Sequence, residues 1–389
     1  MVALRGTEKR ELMLTLSNGP GDLSFLTWRP AADEIPPERS IAAATRQIAE
    51  HLERTGSVLL HERVYGEIQW ADRLLGMRRE TRRALGLVES PPPTFVEGRS
   101  CDGVPLAGIH AISARPVSPG RTEVIWRDEK VAGIEVEGRD AHYLYLSDLA
   151  RFVPGAGRRS AGEETGATFD IARHILEGRG WEFGDVCRTW FYLRDILDWY
   201  DEFNDVRNER FKGYGLLNAG GGEMIPASTG ILGSNTRGSW CVLDLLAVRE
   251  ASAGPIGITR LVNPFQNEAP EYGSAFSRGL ALSMGSSRYV LVSGTASIDD
   301  AGASIHLGDF KRQTHQTLDT IEALLDQGGA KWNDVCQATA FIKRPEDVPV
   351  FRQLMGDRGL QDLPVICTIA DVCREELLFE LDATAIPAG

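Results

Sequence analysis

Glu380 stands in the alternating run Leu378-Phe379-Glu380-Leu381-Asp382. On a strand it shares one face with Leu378 and Asp382, while Phe379 and Leu381 take the other. A carboxyl group whose surroundings raise its pKa toward neutrality can both deliver a proton and take one back. An ordinary solvated strand glutamate is the bland alternative, and alternation alone does not choose between them. Arg278 offers the planar bidentate fork with which arginine, unlike lysine, clamps a carboxylate. A surface salt bridge would use the same residue. Tyr272 has a hydroxyl that could donate to the same anion, or could be a half-buried structural tyrosine. Gly294-Thr295-Ala296 closes a β-branched run and would bring backbone N–H groups close to a ligand, although a tight turn explains the glycine equally well.

Other chemistries find little footing. The seven histidines show no metal spacing and no His-Glu-x-x-His, so neither a metal nor a cofactor is expected. Gly220-Gly221-Gly222 lacks the Gly-Lys-Ser/Thr of a phosphate loop and reads as a flexible loop. Arg78-Arg79 and Arg82-Arg83 form a basic run that reads as a solvated helix face. A net charge of −13 argues against nucleic acid as a partner, while a pocket for a small anion needs only one or two arginines. No run reaches the roughly 18 apolar residues of a membrane span, and Met1-Val2-Ala3-Leu4-Arg5-Gly6 reads as no signal peptide. The six cysteines contain no Cys-x-x-Cys pair and read as reduced thiols, which makes a cytoplasmic location the expectation.

The elements that must position these residues are written twice. Phe169-Asp170 through Asp185-Val186-Cys187 aligns without a gap on Leu318-Asp319 through Asp334-Val335-Cys336. Each copy holds a helical stretch, a glycine (Gly180, Gly329), an aromatic (Phe183, Trp332) and an apolar strand. A weaker echo runs from Ile48 to Leu60. The copies agree in scaffold residues and differ at their closing strands, where Asp244-Leu245-Leu246 stands against Glu380-Leu381-Asp382. Repeats of this length mean duplicated domains, with function expected at the seams. The expected units are 1–130, 131–255 and 256–389, with Arg115 to Lys130 as a turn-rich linker. In the third, Asp309 caps a helix that ends at Gly328-Gly329, and the order β-β-α-β-α-β-β predicts an α+β fold with both helices on one face of the sheet.

The third unit also resembles a known pattern. Val292-Ser293-Gly294, Gly308-Asp309, Gln313, Leu318, Ile321, Asp334-Val335 and Leu377 to Ala385 resemble the YjgF/RidA superfamily over residues 288 to 386. Three further segments resemble the chorismatases within it. These are Pro226-Ala227-Ser228-Thr229-Gly230-Ile231; Asn263-Pro264-Phe265-Gln266 with Tyr272-Gly273 and Phe276-Ser277-Arg278; and Ala370-Asp371-Val372-Cys373-Arg374 with Leu377-Leu378 and Glu380. Phe265 departs from the family, which prefers a basic residue there, and the stretch between Tyr272 and Arg278 is shorter than in the family.

The resemblance implies tandem YjgF/RidA-like units, with a mixed sheet in each, forming a monomeric pseudo-trimer. It implies hydrolysis of chorismate or a close analogue, releasing pyruvate and a hydroxybenzoate or dihydroxycyclohexadiene carboxylate. Glu380 would then face the ligand and protonate the enol ether. Cys373 would resemble the cysteine of members that make 3-hydroxybenzoate, its thiolate attacking a ring intermediate; a small buried hydrophobe is the alternative for a free cysteine. Two rivals stay open: a RidA-type imine deaminase, and a non-catalytic small-ligand-binding protein on the same fold. The first is weakened because Pro364-Val365-Ile366-Cys367 and Pro226-Ala227-Ser228 offer no arginine where that chemistry needs one.

Overall fold

In the computed structural model, residues 13–18, 21–30, 36–87, 91–118, 120–217, 225–251 and 254–387 are described. The first stretch runs β1 (Met13–Asn18), β2 (Leu23–Arg29), α1 (Pro37–Thr55), β3 (Val58–Gly66), α2 (Ala71–Ala84), β4 (Thr94–Glu97), β5 (Arg99–Ser100) and β6 (Leu106–Ala114). The second runs β7 (Thr122–Arg127), β8 (Lys130–Glu137), β9 (Ala141–Leu146), α3 (Ala161–Gly178), β10 (Val186–Leu193), α4 (Ile196–Gly213), β11 (Ala227–Leu232) and β12 (Cys241–Glu250). The third holds β13 (Ile256–Leu261), β14 (Gly279–Met284), β15 (Ser287–Ala296), α5 (Phe310–Gln327), β16 (Val335–Ile342), α6 (Val348–Asp357), β17 (Val365–Ile369) and β18 (Phe379–Ala385). Among the described residues these strands form three sheets, ordered β1-β2-β6-β3-β4, β11-β10-β12-β9-β8-β7 and β13-β14-β15-β18-β16-β17-β5. Each is mixed: β3 with β4, β10 with β11 and β16 with β17 are parallel, and the other pairs are antiparallel.

The repeated phrase folds the same way in each copy. Gly180 and Gly329 sit past their helices at φ 74° and 75°, a left-handed conformation that costs glycine nothing, and Gly56 ends α1 likewise. Asp185 and Asp334 accept from the backbone N–H groups of Glu182 and Lys331, and the Cys187 and Cys336 thiols donate to the carbonyls of Leu246 and Thr384. These shared residues are packing and turn chemistry. Asp309 accepts from the Arg312 N–H, as a helix cap should.

Strand registers align the sheets position by position. A bulge between Leu59 and His61 recurs between Val186 and Arg188 and between Val335 and Gln337. Counted from it, Arg63 opposite His110 corresponds to Trp190 opposite Asp244 and to Thr339 opposite Asp382. The next outward positions are Gly108, Val242 and Glu380. Asp244 is therefore the counterpart of Asp382 and not of Glu380, because each lies opposite the residue two positions beyond Arg188 or Gln337 after the shared bulge. Two further expectations change. Thr122–Arg127 is no linker but the edge strand of the second sheet, so position 130 falls inside a hairpin; its mostly polar, half-exposed face hides the strand signal. Arg78 is no solvated charge, since it is buried in a bidentate pair with Glu62 at 2.6–2.8 Å.

One core is shared by all three sheets, with Leu23 and Ile112, Trp190 and Leu246, and Leu282 and Leu291 among its members. Each sheet also packs a separate core against its own helices. At the shared axis lie buried ionic contacts that cross between sheets. His61 Nε2 is 3.1 Å from Asp244 Oδ2, and Arg188 Nη2 is 3.1 Å from Asp382 Oδ2. Thr229 Oγ1 accepts from Arg188 at 2.7 Å and donates to Asp382 at 2.8 Å. Removing one member of a buried pair strands the other, at a cost of roughly 3–5 kcal/mol. Arg188→Met should therefore lower the thermal and urea midpoints strongly, and adding Asp382→Leu should restore much of the loss. Equal midpoints for Arg188→Met and the native chain would show that the pair holds nothing.

Candidate active site

Glu380 lies on β18, opposite Ala296 on β15 and Phe341 on β16, with its residue 4% exposed. Gly294 makes space for its carboxyl group. A Cβ built at Gly294 would stand 2.2 Å from Glu380 Oε1, so any side chain there would displace the carboxyl. Before β18, the Gln313 side chain of α5 accepts from the Leu378 N–H at 2.8 Å and donates to the Glu376 carbonyl at 2.9 Å, which fixes the approach to Glu380.

Burial and charge act on this carboxyl together. Desolvation raises its pKa most, the Asp382 carboxylate two residues along on the same face adds to it, and the Arg188 cation opposes both. The result is a carboxyl pushed up to about 8, which holds its proton at neutral pH. Cys373 is half-buried, and desolvation followed by the neighbouring Glu380 pushes its thiol up to about 12. The sulfur is hydrogen-bonded to Tyr200.

The opposite wall comes from the second sheet. Ser228 and Gly230 on β11 face Gly294 and Glu380, and Tyr200 and Arg207 reach in from α4. The Ser293 hydroxyl joins the walls: it accepts from the Ser228 N–H at 2.8 Å and donates to the Ser277 carbonyl at 2.5 Å. The segment before β14 closes one end. Gln266 donates to the carbonyls of Ala296 and Ile298, and the Phe276 ring lies between the guanidinium carbons of Arg207 and Arg278, 5.5 and 5.3 Å from its centroid. Arg278 donates to the Asn267 carbonyl and Arg207 to Asn204 Oδ1. The charged lining is Arg207, Arg278 and Arg374 against Glu380, a cationic cleft in a chain of net charge −13. Its closed volume is about 50 Å³, so a ring-sized ligand must push lining side chains aside.

The likenesses of the chain converge on this arrangement. Residues 267–386 match the family Endoribonuclease L-PSP. A 3-hydroxybenzoate synthase of Streptomyces hygroscopicus is 27% identical over 274 residues, 64% of this chain and 75% of the relative. A chorismatase of the same organism is 26% identical over 322 residues, covering 77% and 84%. A crystal structure of chorismatase superposes with a TM-score of 0.61 at 20% identity, over 84% of this chain and 92% of that one. The chain is similar to chorismatases over most of its length. Its sheets are tandem YjgF/RidA-like units, and the L-PSP match falls on the sheet that carries Glu380.

In this chain Glu380, Cys373, Arg278, Gly294 and Ala296 line one cleft. Thr295 does not: it is buried on the other face of β15, with its hydroxyl donating to the Ser293 carbonyl at 2.9 Å. The Tyr272 side chain and Gly220-Gly221-Gly222 lie outside the described residues. Phe265 stands apart from the cleft and is 48% exposed. Cys373 is a neutral thiol rather than a thiolate, because desolvation opposes its negative charge. Sequence reasoning missed Tyr200 and Arg207, whose spacing on α4 was visible but whose direction depends on how the second sheet docks. It also passed over Arg374, which adjoins Cys373 in a segment already singled out.

The raised pKa has a measurable signature. Carbon-13 NMR of labelled glutamate should find one carboxyl titrating near pH 8, and Asp382→Asn should lower that midpoint by removing a repelling charge. Folded Glu380 holds its proton above its ordinary value of 4.5, so its contribution to stability is full below that pH and is lost as pH rises through about 8. Glu380→Gln should therefore gain melting temperature relative to the native chain between pH 5 and 9. A native Glu380 midpoint near the model-peptide value of about 4.3 would rule out the raised pKa.

Proposed function

We propose that this chain cleaves the enol ether of chorismate or a close analogue and releases pyruvate. The supporting observation is a protonated, buried carboxyl group, Glu380, in a cleft lined by three arginines. An enol ether is cleaved by protonating its methylene carbon and trapping the resulting oxocarbenium ion. Glu380 delivers that proton and becomes a carboxylate. It can then deprotonate a water that adds to the cation, after which the hemiketal collapses to pyruvate and a dihydroxycyclohexadiene carboxylate. That route consumes one water. The Cys373 thiol provides a second: its proton passes to the Glu380 carboxylate as sulfur attacks the ring carbon that bears the ether, that C–O bond breaks and pyruvate leaves, and elimination of the thiol together with a ring proton then gives a hydroxybenzoate with no net water consumed. Arg207, Arg278 and Arg374 supply cations for a dianionic substrate. The relative named 3-hydroxybenzoate synthase supports the second product, as does the cysteine itself.

The catalytic unit in this reading is one chain forming a pseudo-trimer of units 1–130, 131–255 and 256–389, with the first boundary moved ahead of Thr122, in the cytoplasm and without a cofactor. The deaminase reading has no residue to support it, since Val365 to Ile369 on β17 presents no arginine.

Incubation with chorismate, with pyruvate and aromatic products followed, tests the proposal. Turnover should fall as pH rises through about 8, because the acid form of Glu380 is the working one. Glu380→Gln should lower kcat by on the order of 10²–10⁴-fold. Cys373→Ala should shift the product mixture toward the diol. Well-folded chain that releases no pyruvate would sink the proposal.

A further inference from the structure

The registers that equate Gly108 with Glu380 also define a second cleft, between the first and third sheets. Its walls are the counterparts of those just described. Val365 and Cys367 on β17 occupy the positions of Ser228 and Gly230 on β11, and Arg29, following Trp28 on β2, that of Ala296 on β15. The helix counterpart of α4 is α6, which contributes Val348, Phe351 and Met355. Here the cleft is roomier, with a volume of about 290 Å³.

Its chemistry differs from the first cleft in two ways. No acid stands at the position of Glu380, because Gly108 has no side chain and a Cβ there would lie 2.8 Å from both Ile366 Cδ1 and the Trp28 carbonyl. In place of the acid there is a cation. Arg29 is part-buried, its Nη1 makes a weak hydrogen bond to the Val365 carbonyl at 3.5 Å, and among the described residues it forms no ion pair. Its charge faces Cys367. At the rim Arg352 donates to the Cys101 carbonyl and is already paired with Asp102. The cavity thus offers an apolar floor and wall from Phe351, Met355 and Val365, with a guanidinium at its edge that forms no ion pair among the described residues.

We propose that this second cleft is a non-catalytic binding site for a small aromatic or cyclohexadiene monocarboxylate, its carboxylate on Arg29 and its ring against Phe351. An ion pair at a part-buried arginine and a ring in an apolar slot are what the cleft lacks for closure. The proposal does not depend on chorismate turnover, since binding there needs no reaction at Glu380.

Calorimetric titration of the full chain with benzoate tests it. Benzoate should bind the native chain and the Arg278→Met variant alike, and affinity should fall at least 10-fold in Arg29→Met. Benzyl alcohol, with the ring and no charge, should bind at least 10-fold more weakly than benzoate. Should Arg29→Met fail to fold, Cys367→Trp fills the same cavity and should abolish binding, and crystals soaked in 4-bromobenzoate should place the bromine beside Phe351. Absence of benzoate binding to the native chain overturns the proposal. So does binding that Arg278→Met removes and Arg29→Met leaves intact. Failure of pyruvate release with benzoate still bound would count against the enzymatic proposal alone.

Discussion

Everything at the cleft depends on where one buried arginine sends its charge. Arg188 crosses from the second sheet to Asp382 on the third, and Thr229 closes the triangle at hydrogen-bond distance from both. Those contacts lock β11 against β18. They thereby hold Ser228 and Gly230 opposite Glu380, and they place Asp382, with its own neutralising cation, two residues from the acid. Were Arg188 to turn toward Glu380 instead, the acid would ionise at neutral pH. Pairing it to Asp382 leaves Glu380 to burial, which favours the neutral form.

Threefold repetition explains why there is one acid. The sheets superpose position by position at the shared axis, yet the outward positions read Gly108, Val242 and Glu380. A neutral apolar residue, or none, costs nothing there, whereas an unpaired carboxyl costs desolvation at every copy. A chain carrying all three units can keep that cost at the single seam where chemistry happens. A symmetric assembly of identical subunits would have to carry it three times.

Much of this was legible in the residues. The aligned copies around Cys187 and Cys336 predict sheet and helix order, and the alternation around Glu380 places it on a strand with Asp382 on its face. What alternation cannot show is which face is buried, or where each closing strand pairs along its neighbour. A direct match of the closing strands sets Asp244 against Glu380, when by register it is the counterpart of Asp382. Thr122–Arg127 was lost for a different reason: an edge strand with a mostly polar face carries little hydrophobic signal. Tyr200 and Arg207 enter the cleft only because two sheets dock, and docking between distant segments leaves no periodic trace in either.

The electrostatics also constrain the order of events at Cys373. Under the proposed reaction its thiol would not open the sequence as a nucleophile, because desolvation favours S–H over thiolate. The protonated acid can act first, and once its proton has gone to carbon the same group becomes the nearest base. Only then does the thiol have somewhere to send its proton. In the proposed reaction a carboxyl held up to about 8 beside a thiol held up to about 12 would act in sequence, carbon protonated before sulfur is freed. Water would take the place of sulfur at the second step only, so in that reading the diol or arene outcome is set by what lies beside Glu380 after its proton has left.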